Sequence, residues 1–481
     1  NDGRILLRRR TVLVMQLRDY QQENLSQLRD SLRTNQSVLY VAPCGSGKGT
    51  LISTMVHRAV ERGKKVVFAV HGRALIYDMS ERVSKLGIKH GVLMGGIRRE
   101  RWHPVQVASI DTLHRMEFPP EADLIIADEC HMALSETWRK TIAKYPNAKL
   151  VGCTATPIRL DKQGLGRASG GLFDDMVLGP TEKELISQNY LVPSRVLAPP
   201  APAALDKVKK TAGEYNLKSQ AEVCNTAQVI GDVVSHWKKH ASQRKTAAFA
   251  VDQNHAKAIM AQFRANGIQW AYVDAETPDS VRAEIWKDLD NPTSGLMGVS
   301  SVGCISVGWD HPIVSCVLVA RKTASLALWR QMLGRGSRVY PGKQDFLVLD
   351  HVGNTHLHAP HGLFEDEVPW DLAGLRPEDM PAKVEAVKTC DQCYATFKPG
   401  PTQCPYCNAL LEKQVKEIEV VEAELTEVKQ KIETDPRVVK AIYDALVRKA
   451  QERGYKSNYP EVVFKHRFGY WPPRSWKQSY A

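Results

Sequence analysis

Between Ser37 and Asp350, short apolar runs alternate with longer segments whose apolar residues recur every three or four positions. SVLYVA (37–42), KVVFAV (65–70), VQVAS (105–109), ADLIIA (122–127) and KLVGCTA (149–155) are apolar almost throughout. Runs of this length and continuity predict strands buried on both faces. Leu51–Glu61 and Arg73–Leu86, between them, carry the helical period. Such alternation predicts a mainly parallel, doubly wound α/β sheet. The pattern breaks in LAPPAPAAL (197–205) and resumes with TAAFAV (246–251), IQWAYV (268–273), GLMGVS (295–300), SCVLVA (315–320) and DFLVLD (345–350). A second α/β lobe, joined to the first near the Pro-rich stretch, is the economical reading. Asn354–Asp371, rich in His, Pro and Gly, reads as loop. Further on, Leu411, Val415, Ile418, Val421, Leu425, Val428 and Ile432 predict an amphipathic helix.

Composition narrows the class. A chain of 481 residues has room for about three domains. Its 43% hydrophobic and 25% charged residues are those of a soluble globular protein. The net charge of +12 favours polyanionic partners, of which nucleic acid is the commonest. No apolar run approaches the ~20 residues of a membrane span. Residues 1–14 carry Arg4, Arg8, Arg9 and Arg10 without a signal-peptide core and read as an extension outside the fold. Six of the ten cysteines are scattered and four are clustered, which suits a reducing cytoplasm with one metal site.

The segment Ala42-Pro43-Cys44-Gly45-Ser46-Gly47-Lys48 lies between an apolar strand and a helix, the setting a phosphate-binding loop requires. Glycines there let backbone N–H groups turn toward phosphates, and the lysine reaches the outer oxygens. Pro43, Gly45, Ser46, Gly47, Lys48, Gly49 and Thr50 are therefore candidate ATP-binding residues. Two departures from the G-x-x-x-x-G-K-[ST] pattern matter. Ala42 replaces the first glycine, and Gly49 stands where a Mg2+-binding hydroxyl belongs. Thr50 is the nearest hydroxyl, but one helical residue turns its side chain by about 100°, so water is expected to complete the Mg2+ shell. Downstream, the strand Leu124–Ala127 ends in Asp128 and Glu129. Paired carboxylates at a strand end suit metal-assisted phosphoryl transfer, with Asp128 on Mg2+ and Glu129 orienting or deprotonating the attacking water.

Cys390-x2-Cys393-x10-Cys404-x2-Cys407 places two C-x-x-C pairs within 18 residues. Four thiolates satisfy tetrahedral Zn2+ in a closed, structural site, and so short a segment would draw much of its folding free energy from the metal. His351, His356, His358 and His361 form a second cluster that reads as solvated or near nucleotide rather than as a second metal site. The tail around Phe464, Lys465, His466, Arg467, Phe468, Tyr470 and Trp471 could stack on bases or pack on C-terminal helices.

Asp128-Glu129-Cys130-His131 resembles the DExH motif of superfamily-two helicases, and that family's other motifs follow in order. Leu17-Arg18-Asp19-Tyr20-Gln21 resembles its adenine-reading motif, which implies Arg18 and Gln21 as base contacts. Cys153-Thr154-Ala155-Thr156-Pro157 looks like motif III, implying that Thr154, Ala155 and Thr156 couple nucleotide to track. Gly303–Pro312 looks like motif V, implying Gly308 and Asp310 beside the nucleotide. Gln331–Arg338 looks like motif VI, implying catalytic roles for Gln331, Arg335 and Arg338. Arg335 and Arg338 lie three apart, so both can face one cleft. An arginine fork stays charged and binds phosphate bidentately, so arginines entering from the second lobe would make lobe closure depend on ATP. The same resemblance implies His71, Arg73, Ser109, Thr112 and Ser306 along a nucleic-acid path gripped through its phosphates, with little sequence preference.

The motif spacing, the Asp350–Asn354 segment and the four-cysteine module are most similar to the RadD-type helicases of bacteria and phages, over roughly residues 16–410. This implies two RecA-like parallel-sheet domains in tandem, at 15–195 (ATP-binding) and 196–375 (linker and second domain). A zinc ribbon at 386–410 and a helical region at 411–481 would follow. The implied activity is that of a DNA-stimulated ATPase, a helicase or translocase of DNA repair, recombination or replication. It would use ATP, Mg2+ and Zn2+ as a monomeric motor on single-stranded or branched DNA, with single-strand-binding or repair proteins as partners. Three alternatives stay open: a zinc-stabilised nucleic-acid clamp with an ATPase weakened at Gly49, a restriction-type motor, and an RNA helicase, since phosphate contacts alone discriminate RNA poorly.

Overall fold

The computed structural model describes residues 16–97, 100–130, 136–199, 205, 207–211, 213–303, 305, 309–375, 387–411, 435–453 and 456–477. In the first lobe, β1 (Ser37–Val41), β2 (Val66–Val70), β3 (His90–Leu93), β4 (Val105–Ser109), β5 (Leu124–Asp128), β6 (Lys149–Thr154) and β7 (Asp175–Leu178) form one parallel sheet, ordered β3-β4-β2-β5-β6-β1-β7. The inner strands read as unbroken apolar runs because both faces are covered. Val38 and Tyr40 pack with Leu25 and Leu28 of α1 (Asp19–Thr34), Leu51 and Val56 of α2 (Lys48–Glu61) and Ile76 and Val83 of α3 (Arg73–Lys85). Leu39 and Val41 point the other way, onto Ile110, Trp138 and Phe173. The edge strands β3 and β7 are short and half-buried, so the apolar pattern does not reveal them.

The second lobe contains β8 (Ser194–Leu197), the small hairpin β9 (Lys210–Thr211) and β10 (Glu214–Tyr215), then β11 (Thr246–Phe249), β12 (Trp270–Val273), β13 (Gly298–Ser301), β14 (Cys316–Val319), β15 (Phe346–Asp350), β16 (Lys388–Thr389) and β17 (Ala395–Phe397). Its main sheet runs β12-β13-β11-β14-β15-β8-β17-β16. All pairs up to β8 are parallel, while β17 joins β8 antiparallel and β16 joins β17 antiparallel. Together the two lobes are tandem RecA-like α/β domains.

β8, which ends at Leu197 where the Pro-rich stretch begins, already pairs with β15, Arg195 opposite Leu347 and Val196 opposite Val348, so the second sheet includes Ser194. The cysteine segment packs on that sheet. Its strand β17 extends the second sheet, and Cys390, Ala395, Phe397 and Cys404 share a core with Leu197, Ala248 and Leu318.

The histidine cluster differs from the sequence reading. His351 and His358 are buried rather than solvated. His351 stacks on His236, and His358 Nε2 pairs with the Thr323 carbonyl at 3.0 Å. Among the described residues the four cysteines are the only group of three or more His, Cys, Asp or Glu side chains placed to share a metal.

Residues 413–481 form a separate unit. Its helices Pro436–Arg453 and Tyr459–Phe468 bury Val439, Tyr443, Val447, Phe464 and Phe468 against each other. Half of the aromatic tail is thus core, whereas Tyr470 and Trp471 stay exposed, the latter under Lys465. The predicted helix through Ile432 falls in 412–434, outside the described residues. Among the described residues no helix is long and apolar enough to cross a membrane.

Candidate nucleotide and metal sites

The loop after β1 turns sharply at Gly45 and Gly47, whose φ values of +82° and +78° suit glycine. Gly47 also has no room for a side chain, since a Cβ there would lie 2.5 Å from Gln21 Nε2. Gln21 Nε2 donates to the Ser46 and Gly47 carbonyls at 3.3 and 3.2 Å, and Gln21 Oε1 accepts from the Arg18 N–H at 3.0 Å. Gln21 therefore spends its amide on holding the loop, while Arg18 faces the cleft. Lys48 Nζ donates back to the carbonyls of Ala42 and Pro43 at 2.8 and 3.0 Å. Ser46 Oγ is buried without a partner among the described residues.

A cleft of about 330 Å³ opens over this loop, lined by both lobes. The first lobe contributes Arg18, Lys48, Gly49, Thr50, Asp78, Arg82, Asp128, Glu129 and Tyr190. The second contributes Trp309, Asp310, Arg335 and Arg338. The lobes meet tightly at the loop, where a Cβ on Gly334 would lie 2.5 Å from Cys44 Cβ. Arg330 and Glu182 tie them again at 2.9 Å.

Asp128 ends β5, and Glu129 turns away from the strand with φ +48°, a strained value for a non-glycine residue. Burial, then the adjacent Glu129, pushes the Asp128 carboxyl up to about 7, with Lys48 pulling it down. Bound cation would relieve that carboxyl, so Asp128, with Thr50 lining the same cleft, fits a Mg2+ site. Gln331 Nε2 donates to Glu129 Oε2 at 3.1 Å across the lobe boundary. Arg335 Nη1 donates to the Trp309 carbonyl at 2.7 Å, and Arg338 Nε pairs with Asp310 at 2.8 Å. Burial, then the Arg335 charge, lowers Arg338 to about 10, and its Nη1 is buried without a partner among the described residues. A phosphate would answer both deficits.

Thr154 lies below the loop. Its carbonyl accepts from Ala42 N–H at 3.1 Å and its hydroxyl from Thr156 N–H at 3.1 Å, which links Thr154, Ala155 and Thr156 to the loop after β1. Ser109 ends β4 opposite Val70, the last residue of β2, and Thr112, His71 and Arg73 follow these strand ends, so the four gather on one rim of the sheet. Ser306, Gly308 and His131 lie outside the described residues.

Tyr190, Trp309 and Arg82 line the cleft without a contact role read from the sequence. Tyr190 follows a turn at Asn189, and the Arg18 guanidinium lies 3.9 Å over its ring. Trp309 is an apolar position in the motif V segment. Arg82 shows in sequence only as the partner of Asp78 four residues earlier on α3.

The four cysteine sulfurs lie within 4.8 Å of one another, with Cys390–Cys407 at 3.7 Å and Cys393–Cys404 at 3.6 Å. Sulfurs tetrahedral about one ion at zinc–thiolate distances stand about 3.8 Å apart, so the set fits. Each C-x-x-C is followed by a residue at φ +59°, Tyr394 and Asn408. Each turn closes alike, Tyr394 N–H to Cys390 O and Asn408 N–H to Cys404 O.

Comparison with known proteins agrees with this geometry. A family model described as "Type III restriction enzyme, res subunit" matches residues 14–159. A "51.5 kDa protein" of a Lactococcus phage (isolate 7-9) is 27% identical over 397 residues, covering 81% of this chain and 83% of its own. "Putative ATP-dependent helicase IRC3" of Saccharomyces cerevisiae is 27% identical over 394 residues, and this chain spans only 56% of its length. The solved fragment of a "putative HsdR subunit of a type I restriction enzyme" from Vibrio vulnificus YJ016 superposes with a TM-score of 0.57 at 20% identity, covering 73% of this chain and 67% of that one. Fold, motif order and relatives support a helicase-like, ATP-dependent motor, similar to the superfamily-two helicases.

Proposed function

We propose that the chain is a DNA-stimulated ATPase of the DExH type, a RadD-like helicase or translocase that acts in DNA repair, recombination or replication. The observation that carries this reading is the composite cleft, in which Arg335, Arg338 and Gln331 of one lobe face Lys48 and Glu129 of the other. Lys48 would release the loop carbonyls to hold phosphate. Glu129, positioned by Gln331, would take the proton of the attacking water. Arg335 and Arg338 would leave Trp309 and Asp310 for the charge developing on the transferred phosphoryl group. Mg2+ held by Asp128, water and the Thr50 side of the loop would neutralise phosphate charge. Because the cleft is complete only when the lobes meet, hydrolysis would loosen them and shift His71, Arg73, Ser109 and Thr112 along a phosphate backbone. Arg18 and Tyr190 would stack the adenine.

The four cysteines would hold structural Zn2+ that secures β17 beside β8 in the second sheet. The reading further implies a monomer working in a bacterial or phage-infected cytoplasm, alongside single-strand-binding or repair proteins. The restriction-subunit names of the family model and the structural neighbour favour a second reading, the motor of a restriction system. ATP turnover on single-stranded, duplex and forked DNA and on RNA tests both. Stimulation by single-stranded or forked DNA supports the first, stimulation by duplex alone the second, and no stimulation by any nucleic acid overturns the motor.

A further inference from the structure

Gly49 is the sharpest departure of the phosphate loop from its pattern, and the structure supplies a neighbour that accounts for it. Arg82, near the end of α3, lays its guanidinium against the Gly49 backbone. A Cβ at position 49 would lie 2.7 Å from Nη1 and 3.1 Å from Cζ. A hydroxyl side chain at 49 and the present Arg82 conformation thus exclude each other. Arg82 Nε is held by Asp78 Oδ2 at 2.9 Å, which fixes the plane of the fork. Neither Nη group has a hydrogen-bond partner among the described residues, and the side chain lines the cleft with Lys48, Asp128, Asp310 and Arg338. Burial opposes its charge, but the Asp78 hydrogen bond, then the charges of Asp78, Asp310 and Asp128, raise its pKa above the ordinary arginine value.

From this geometry we infer that Arg82 is a nucleotide-binding residue, a third arginine whose Nη edge binds the phosphates of ATP from the first lobe. The inference rests on the reading of the cleft as an ATP site. A hydroxyl at 49 would serve the metal; a guanidinium cannot ligate a cation but binds phosphate oxygens directly. The chain has exchanged a metal ligand for a phosphate ligand at one place. Arg82 belongs to the same lobe as the loop, so its contact needs no lobe closure and forms in the ground state. That separates it from Arg335 and Arg338, which arrive with the second lobe.

The test uses the full chain with Arg82→Ala, Arg82→Lys, Gly49→Thr and the Arg82→Ala/Gly49→Thr pair, and Lys48→Ala as control. Binding of a fluorescent ATP analogue and the Mg2+ concentration for half-maximal binding are read alongside KM and kcat. Arg82→Ala should weaken binding about ten- to hundred-fold, the range of a charge-assisted hydrogen bond, and raise KM more than it lowers kcat. Arg82→Lys should recover part of the loss, which also separates loss of charge from loss of folding. Gly49→Thr alone should weaken nucleotide binding by displacing Arg82. The pair should need less Mg2+ than Arg82→Ala alone, because the hydroxyl then has room. If Lys48→Ala abolishes turnover while Arg82→Ala binds within twofold of the parent, the inference is overturned and the ATP site stands. If Lys48→Ala is also silent, the ATP-site reading itself is wrong.

Discussion

Gln331 Nε2 donates a hydrogen bond to Glu129 Oε2 at 3.1 Å, joining residues 202 positions apart and on different lobes. Glu129 sits at φ +48°, so its carboxylate is held by a strained backbone from one side and by a neutral amide from the other. A neutral donor orients a carboxylate without quenching its basicity as an arginine would. Gln331→Ala should therefore lower kcat about ten- to hundred-fold with KM for ATP little changed, as for loss of one hydrogen bond to a charged group. Steady-state ATPase measurements check this; unchanged kcat would show that the bond merely accompanies lobe contact.

Lys48→Ala and Glu129→Gln should each reduce ATP turnover by at least about a hundredfold, for different reasons. Lys48→Ala loses a phosphate contact and should bind the nucleotide poorly. Glu129→Gln keeps the loop intact and should still bind ATP while failing to hydrolyse it. Nucleotide binding by fluorescence, measured beside turnover, distinguishes the two, and near-normal turnover in either would remove the motor reading.

Arg335→Ala and Arg338→Ala should each lower kcat by about a hundredfold or more, with a smaller effect on ATP affinity. Both arginines are parked on second-lobe acceptors, Trp309 O and Asp310, and must exchange these for phosphate as the cleft tightens. A variant in which only KM rises would make that arginine a ground-state ligand.

Purified without chelator, the protein should carry one zinc per chain. Because β17 pairs with β8 and shares its core, stripping the metal or replacing Cys390, Cys393, Cys404 and Cys407 with Ser should destabilise the whole second lobe. A lowered unfolding midpoint in calorimetry is the expected sign. Metal analysis without zinc, or an unaltered melt after the fourfold replacement, would count against it.

Stability should also fall in mild acid. Burial lowers His255 and His358 from 6.5 to about 4 and His351 to about 3. Their folded pKa values lie below the unfolded one, so the stabilisation is present above pH 6.5 and is lost as pH falls through 4. Each uncompensated histidine costs roughly 1 kcal/mol per pH unit in that window. Melting from pH 7 to pH 5 should show a falling midpoint, and His358→Asn should flatten the slope; a midpoint level across this range would refute the assignment.

Much of the architecture could be read along the chain. The inner strands of both sheets fall where continuous apolar runs predict them, because a parallel strand covered on two faces has no polar positions to interrupt the run. The edges β3 and β7 escaped, since a half-buried strand of four residues looks like loop. β8 was hidden by the Pro-rich stretch that follows it, which composition marks as a linker.

The ingredients of the cleft were determined by sequence alone. Asp128 ends β5, Glu129 follows it and Lys48 opens the helix after the loop from β1, so local chain geometry carries them to the same sheet edge. The cysteine spacing likewise specified two matching knuckles. Only the tertiary structure decided what each group meets. It turned Gln21 onto the loop, put Gln331 on Glu129, docked β17 on β8 and laid Arg82 over Gly49. These are contacts between segments remote in sequence, set by how two lobes and three helices pack. Periodicity reports which face of an element is buried, but not which distant side chain covers it.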